Sequence, residues 1–199
     1  MRGTRGTRHL FRKGEDLLPE EMRYFSRLHE GIRLHMQRAY HFVSLQYGLD
    51  NLRRRHLKIS RLDDLNDPFE LWAIAQSDQR VRQALKETKE EMARDYGLLC
   101  FSLEWNNPVL WSHYADRHCG IALGFDVDEY ILKAVSYRKN RPILKTIDKR
   151  VADWLLFTKY FDWNYEHEAR IFTLLNERDP QTGMYFADFN DQRGCPIDS

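Results

Sequence analysis

Residues 98–111 read LLCFSLEWNNPVLW, and this stretch contains the clearest change from strand to helix in the chain. The run from Leu98 to Leu103 is mainly apolar and has the length of a buried strand. Asn107 and Pro108 then follow as a cap residue and a first-turn proline, which is the order that begins a helix. The stretch therefore predicts a buried strand that leads directly into a helix.

Strands and helices alternate on both sides of this stretch. The patterns predict further strands at residues 40–44, 57–60, 119–125, 169–175 and 184–189. They predict further helices at 48–55, 81–96 with Gly97 as the C-terminal cap, 128–134 and 147–160. Because the strands are short and irregularly spaced, we expect an α+β fold with a mixed, largely central sheet and packed helices rather than a doubly wound parallel sheet.

The first 38 residues differ from the rest of the chain. They begin with a basic arm spaced by glycines, for which a mobile tail is the favoured interpretation and nucleic-acid binding the alternative. Residues 17–38 then carry apolar side chains at helical spacing, namely Met22, Phe25, Leu28 and Ile32. We therefore predict a basic arm and helical extension at 1–38 and a single α+β domain at 39–199.

Composition limits the class of protein. With 42% apolar and 31% charged residues among 199, the chain can form one packed core, and its net charge of +1 creates no global attraction to nucleic acid. Three cysteines without a C-x-x-C pair indicate a reducing compartment. No apolar run approaches the ~20 residues of a membrane span, so we expect a soluble, cytoplasmic protein, and the composition indicates no particular partner.

Several motifs occur in an order that resembles a known bacterial family. They are Asn66-Asp67-Pro68-Phe69-Glu70, Cys100-Phe101-Ser102, Trp111 to Asp116, Gly120 with Gly124-Phe125-Asp126, Tyr137, and Trp163 to Arg170. Together they resemble the family called domain of unknown function 2971, over about residues 40–175. The resemblance implies an α+β fold but no activity, because the members of that family have no agreed one.

The same order of elements also resembles ADP-ribosyltransferases, which transfer ADP-ribose from NAD. In those enzymes a histidine or arginine on an N-terminal strand holds NAD, and a late glutamate stabilises the ribosyl cation and positions the acceptor. The resemblance implies that Ser102 and Tyr114 line the nicotinamide pocket and that Glu168 is catalytic. The full set of candidate NAD-binding residues is His41, Ser44, Ser102, Trp111 and Tyr114.

Glu166 and Glu168 form the second candidate constellation, just before a predicted strand. On a strand, both carboxylates would share a face with Arg170, and two neighbouring carboxylates raise the pKa of one of them, which prepares it for acid or base chemistry. The alternative is an ion pair between Glu166 and Arg170 on a helical turn. We favour catalysis for Glu168 and a structural role for Glu166, which is the other candidate catalytic residue.

The Asn66-to-Glu70 motif has the form of a helix N-terminus. Asp67 precedes a proline, and Glu70 lies three residues later, so that the pair can satisfy the first backbone N–H groups of a helix. A capping role is favoured for Asp67. In the alternative, Asn66 and Glu70 border a ligand pocket, because helix N-termini also attract anions.

Two other classes of function remain open at this stage. In the first, Asp67, Glu70, Glu166 and Glu168 bind magnesium or manganese in a hydrolase or nuclease. In the second, the protein is a non-catalytic module that binds a ligand or partner in an aromatic cleft. A metal site built from cysteine and histidine is disfavoured, because Cys100, His113, His118 and Cys119 lack ligand spacing. Trp111 and Tyr114 instead read as core aromatics with hydrogen-bonded polar tips.

Overall fold

The computed structural model describes residues 35–65, 79–140, 149–175 and 177–189. The described strands are β1 (Met36–Val43), β2 (His56–Arg61), β3 (Tyr96–Ser102), β4 (Ile121–Asp128), β5 (Lys133–Ala134), β6 (Ser136–Arg138), β7 (Thr158–Tyr160), β8 (Glu168–Leu174) and β9 (Tyr185–Asp188). The described helices are α1 (Leu45–Arg54), α2 (Gln79–Asp95), α3 (Pro108–Tyr114), α4 (Lys149–Leu156) and the 3₁₀ helix Phe161–Glu166. The α+β class is confirmed.

Seven of the described strands form one antiparallel sheet, with β3 in its middle. Strand β8 pairs along the whole of β3, from Tyr96 opposite Leu174 to Ser102 opposite Glu168. The other edge of β3 is shared, because β1 joins it at Ser102 and β2 joins it at Gly97 and Leu98. The sheet therefore divides beyond β3 into one arm of β1 and β4 and another of β2 and β9.

The orientation of the ladders differs from the expected mixed sheet. Every ladder of the seven-stranded sheet is antiparallel. Among the described strands, the parallel ladder joins β6 and β7, which form a separate two-stranded sheet. This pair is parallel because the connection between β6 and β7 contains α4, which lets β7 run in the same direction as β6.

The two faces of the large sheet differ in character. One face carries Ala39, Leu99, Phe101, Phe125 and Ile171, all buried, with Phe101 and Phe125 edge to face at 5.9 Å between ring centroids. The opposite face is apolar at one end of β3, where Tyr96 and Phe172 stack at 4.8 Å. At the other end it is charged, because Ser102, Glu168 and Arg170 lie there, and these three residues are buried as well. This charged end of the sheet is where the candidate site lies.

The unit of β3 and α3 agrees with the sequence prediction. Asn107 is the N-terminal cap of α3, since its side chain accepts a hydrogen bond of 2.9 Å from the backbone N–H of Val109, and Pro108 is the first helical residue. Tyr96 and Gly97 belong to β3, so the prediction of Gly97 as a helix cap was wrong. A glycine is needed here because a Cβ would lie 2.4 Å from Cγ2 of Ile59.

Three predicted elements are corrected by the structure. The helix predicted at 128–134 is a turn at residues 129–131 followed by β5. The Asp128 carboxylate accepts from the N–H of Tyr130, and its backbone carbonyl accepts from the N–H groups of Ile131 and Leu132. The helix predicted at 147–160 is α4 followed by β7, and β6 was not predicted. Within the predicted extension, residues 36–38 begin β1, and residues 17–34 lie outside the described part.

The helices of the described part differ from membrane-spanning helices. None of those in the described ranges combines the length and apolar character that a membrane-spanning helix needs.

Candidate functional site

Two residues predicted for the site face each other across the sheet. Ser102 lies directly opposite Glu168 in the ladder of β3 and β8, and Tyr40 lies opposite Ser102 on β1. Directly opposed residues of an antiparallel ladder point to the same face. The side chains of Tyr40, Ser102 and Glu168 therefore share the charged face, together with Arg170 two residues further along β8.

Glu168 and Arg170 form a two-point ion pair in the interior. The guanidinium donates from Nε to Oε1 of Glu168 at 2.7 Å and from Nη2 to Oε2 at 2.9 Å. Its Nη1 donates to the backbone carbonyl of Leu156 at 2.5 Å. Arg170 is only 1% exposed, so all of these contacts are sheltered from water.

Lys159 on β7 connects this pair to the second carboxylate. Its Nζ lies 2.7 Å from Oε2 of Glu166 and 2.8 Å from Oε2 of Glu168. It also lies 5.3 Å from the centroid of the Trp163 ring, at which distance a cation is attracted to the aromatic face. We call Lys159, Glu166, Glu168 and Arg170 the buried charge cluster, in which two cations face two carboxylates.

The 3₁₀ helix places Glu166 over the end of β3. The Ser102 hydroxyl donates to the backbone carbonyl of Glu166 at 2.7 Å, and the backbone N–H of Leu103 donates to the carbonyl of His167 at 2.9 Å. Asn107 donates through Nδ2 to the carbonyl of Tyr165 at 2.9 Å. Three backbone carbonyls of the segment 165–167 are thus fixed by β3 and the residues after it. His167 ends the 3₁₀ helix with φ of 42°.

A strand face shared by Glu166, Glu168 and Arg170 was one of two expectations for this segment, and the structure does not show it for Glu166. Glu166 is the last residue of the 3₁₀ helix, so only Glu168 and Arg170 share a strand face. The carboxylates nevertheless meet, because the left-handed backbone at His167 turns the chain between them and Lys159 binds both. The sequence reasoning missed Lys159, which falls within the predicted helix 147–160 and has no distinguishing neighbour.

The two carboxylates differ in their protonation. Burial raises the pKa of Glu166, and the charge of Glu168 adds to that rise while Lys159 opposes it. Burial would also raise the pKa of Glu168, but the charges of Arg170 and Lys159 outweigh it and hold the pKa well below its usual range. Glu168 therefore has the lower pKa and is ionised at neutral pH, and Glu166 has the higher pKa of the two.

Tyrosine hydroxyls surround the cluster. Tyr114 on α3, which is partly exposed, donates its hydroxyl hydrogen to Oε1 of Glu166. The Tyr137 hydroxyl accepts a hydrogen bond of 2.8 Å from the backbone N–H of Glu168, and burial raises the pKa of this phenol. On the outer side, the Tyr165 hydroxyl lies 3.1 Å from Nδ1 of the exposed His113. Tyr114 is thus the contact between the cluster and the exposed part of α3.

His41 and Ser44 lie away from this cluster. His41 neighbours Tyr40 on β1 and so points to the opposite face, where its ring is edge to face with Phe101 at 6.0 Å. Its Nδ1 lies 3.0 Å from the carbonyl of Cys100, and burial lowers its pKa. Ser44 caps α1 by accepting from the N–H of Tyr47 at 3.5 Å. The structure does not bring these two residues together with Glu168.

Trp111 packs beside the site rather than in the cluster. Its ring meets Phe42 edge to face at 5.3 Å, and its Nε1 donates to the carbonyl of Trp105 at 2.6 Å. The polar tips of Trp111 and Tyr114 do have hydrogen-bond partners, but the prediction that both are core aromatics was wrong, because each side chain is only half-buried. Trp105 itself is 56% exposed and extends the aromatic surface next to α3.

Of the residues proposed as ligands for magnesium or manganese, the structure describes Glu166 and Glu168. Asn66, Asp67 and Glu70 lie outside the described residues. Within the described ranges, no group of three or more histidine, cysteine, aspartate or glutamate side chains has an arrangement that could hold a metal ion. Three oxygens of Glu166 and Glu168 already contact the nitrogens of Lys159 or Arg170.

Comparison with known proteins gave no match. No protein-family model matches the chain, no curated protein is significantly similar to it, and no solved structure matches it. The family resemblance and the functional interpretation therefore depend on the residues themselves.

Proposed function

We propose that this chain is an ADP-ribosyltransferase-like enzyme of the bacterial family called domain of unknown function 2971, and that it transfers ADP-ribose from NAD to an acceptor. The observation that carries the proposal is the meeting of Ser102, Tyr114, Glu166 and Glu168. Glu166 is 64 residues from Ser102 and 52 from Tyr114 in sequence, yet it is hydrogen-bonded to both. Three residues suggested by the ADP-ribosyltransferase resemblance, namely Ser102 on β3, Tyr114 on α3 and Glu168 at the start of β8, thus lie around Glu166.

The reaction requires one bond to break and one to form. The bond from C1′ of the ribose to the nicotinamide nitrogen breaks, and nicotinamide leaves as a neutral molecule with the electron pair. The acceptor's nucleophile then bonds to C1′ and loses its proton to a base. A fixed negative charge near C1′ stabilises the cation that develops there, and a carboxylate with a raised pKa suits the base.

The cluster has a residue for each of these two roles. Glu166 is the better base, since its Oε1 points to Tyr114 and the partly exposed side, and burial raises its pKa. Glu168 stays ionised and both of its oxygens are bound by cations, so it acts on a bound ribose through its field rather than by direct contact. The proposal therefore assigns the direct catalytic contact to Glu166, whereas the sequence had favoured Glu168 for it.

The proposed site has a narrower set of residues than the sequence suggested. His41 and Ser44 are left out, because one points to the opposite face and the other caps α1. Tyr114 and Trp111 remain as residues that can contact the nicotinamide ring, because both are partly exposed on α3. Aromatic rings of this kind stack with planar ligands.

The test uses the full chain, NAD labelled in its adenylate part, and a bacterial cell extract. We expect label transfer and nicotinamide release by the wild-type chain, and a loss of about 10²–10⁴-fold in Glu166→Gln, which is the range for removing a general base. Tyr114→Phe should lower the rate while keeping the ring in place. Glu90→Gln on the exposed side of α2 is the matched control and should retain full activity.

Folding is checked for each variant by circular dichroism and thermal unfolding. An active, folded Glu166→Gln variant would exclude Glu166 as the base. Absence of both transfer and nicotinamide release by the wild-type chain, in extracts from several bacteria, would refute the proposal.

A further inference from the structure

Lys159 is the centre of the buried charge cluster, although nothing in the sequence analysis selected it. It is 4% exposed, and its Nζ contacts Oε2 of Glu166 and Oε2 of Glu168. A lysine enclosed in this way is rarely found without paired charges, because an ammonium loses much hydration energy on burial. Its two short contacts therefore fix the positions of both carboxylates.

The contacts of Lys159 leave the two glutamates in unequal surroundings. Both oxygens of Glu168 are bound by cations, since Oε1 accepts from Arg170 and Oε2 lies against Arg170 and Lys159. Glu166 has one oxygen on Lys159 and the other on the Tyr114 hydroxyl. Only Glu166 thus has an oxygen whose hydrogen-bond partner belongs to the partly exposed helix α3.

We infer that Lys159 is a positioning residue, which holds Oε2 of Glu166 in the interior so that Oε1 faces Tyr114 and exchanges protons with a bound acceptor. This inference rests on the proposed function for the identity of the acceptor's site. The electrostatic part, namely that Lys159 controls the protonation of Glu166, does not depend on the reaction.

The charged and titratable groups of the described residues that act on Glu166 come from several elements. Lys159 on β7 favours its ionised form, and Glu168 on β8 disfavours it. Tyr114 on α3 stabilises the ionised form by donating a hydrogen bond. Tyr137 on β6 interacts with both glutamates and Tyr165 precedes Glu166, but burial raises the pKa of each phenol, so both stay neutral around pH 7.

The test follows the side-chain carboxyl of Glu166 by ¹³C NMR between pH 3 and 9. Lys159→Met removes the cation and should move the titration midpoint of Glu166 upwards by about 1–3 pH units, the usual effect of an opposite charge at this distance. Lys159→Arg retains a cation and should restore the midpoint to within about half a unit of the wild-type value. Lys159→Gln, which keeps an N–H donor without charge, provides a second uncharged variant.

A wild-type measurement needs no substitution. The ¹⁵N resonance of the Lys159 ammonium should titrate with the same midpoint as the Glu166 carboxyl, because the two groups share a contact. Unequal midpoints, or an unchanged Glu166 midpoint in both uncharged variants, would overturn the inference. A purely structural lysine would lower the melting temperature and leave the midpoint where it was.

Activity separates the inference from the proposed function. If nicotinamide release is observed, the acidic limb of its pH–rate profile should move to higher pH in Lys159→Met and return to the wild-type pH in Lys159→Arg. A shifted NMR midpoint in a protein without any NAD-dependent activity would support control of Glu166 by Lys159 and count against the transferase. Activity with an unshifted limb in Lys159→Met would support the transferase and overturn the positioning role.

Discussion

Replacing Arg170 by methionine tests how strongly the buried charge cluster depends on its own charges. The substitution keeps much of the apolar volume, but it removes both hydrogen bonds to Glu168 and leaves the carbonyl of Leu156 without its Nη1 donor. Breaking a buried ion pair from one side costs about 3–5 kcal/mol, because the remaining charge loses a partner that water cannot replace. Glu168 would still contact Lys159, but its Oε1 would lose the cation that binds it. We expect a loss of that size in the free energy of unfolding.

The chain contains a matched control in Arg61 and Asp63. This pair is also a two-point contact between residues two apart, with distances of 2.9 and 2.8 Å. Its side chains are 28% and 49% exposed, whereas those of Arg170 and Glu168 are 1% and 8% exposed. Arg61→Met should therefore cost only about 0.2–1 kcal/mol, as exposed pairs do.

Urea unfolding at pH 7, followed by tryptophan fluorescence, measures both variants. With a slope of about 2 kcal/mol/M, Arg170→Met should lower the midpoint by about 1.5–2.5 M and Arg61→Met by less than about 0.5 M, at unchanged slope. The double variant Glu168→Met with Arg170→Met should be more stable than Arg170→Met alone, because no carboxylate is stranded. Equal midpoint shifts for Arg170→Met and Arg61→Met would refute this account of the cluster.

Three further predictions concern neighbouring parts of the structure. The pKa of Glu168 is lowered to about 2 from an ordinary 4.5, so the stability that its ionised form contributes is present above pH 4.5 and is lost as the pH falls towards 2. Urea unfolding across this pH range should show a loss on the order of 3 kcal/mol in the free energy of unfolding. The same loss should be missing in Glu168→Gln. Gly120→Ala should cost about 3 kcal/mol in the same assay, because its Cβ would lie 2.3 Å from the carbonyl oxygen of Val43. Asn107→Ala should cost about 1–2 kcal/mol and lower the thermal midpoint, since it removes the cap of α3 and the contact with Tyr165.

Each of the last two predictions has an internal control. Gly183→Ala meets open space at φ of 69°, so we expect only about 1 kcal/mol from backbone strain, and a cost equal to that of Gly120→Ala would contradict the steric argument. Asn106→Ala changes an exposed neighbour and should stay within about 0.5 kcal/mol. If it is as damaging as Asn107→Ala, the capping explanation is wrong.

Local signals account for the elements that were predicted correctly. The apolar run before Asn107 and the proline after it determine β3 and the start of α3 through interactions between neighbouring residues. Strands β6 and β7 were missed because three residues are too short to show a period of two. The end of α2 was placed too late because Tyr96 continues the helical stripe in sequence, while pairing with β8 decides its actual conformation.

The candidate site was predictable in its acidic residues and, through the resemblance, in Ser102 and Tyr114. An E-x-E pattern is visible in the sequence, and so is the direction of its chemistry, since two close carboxylates must differ in pKa. The cation that both carboxylates share was not visible, because burial of Lys159 depends on contacts between β7 and the 3₁₀ helix. His41 and Glu168 lie on opposite faces of the sheet because the ladder register places Tyr40, and not His41, opposite Ser102. A shift of the register by one residue would reverse the face to which His41 points.

The pairing of β3 with β8 has a consequence for the way the chain folds. β3 is complete at Ser102, but its longest ladder needs a strand that starts at Glu168. Contacts between such distant residues form slowly, because a long loop must close before they can stabilise anything. During synthesis, one edge of β3 is therefore available to other strands until residue 174 has been made, and aggregation of nascent or truncated chains should begin at this edge.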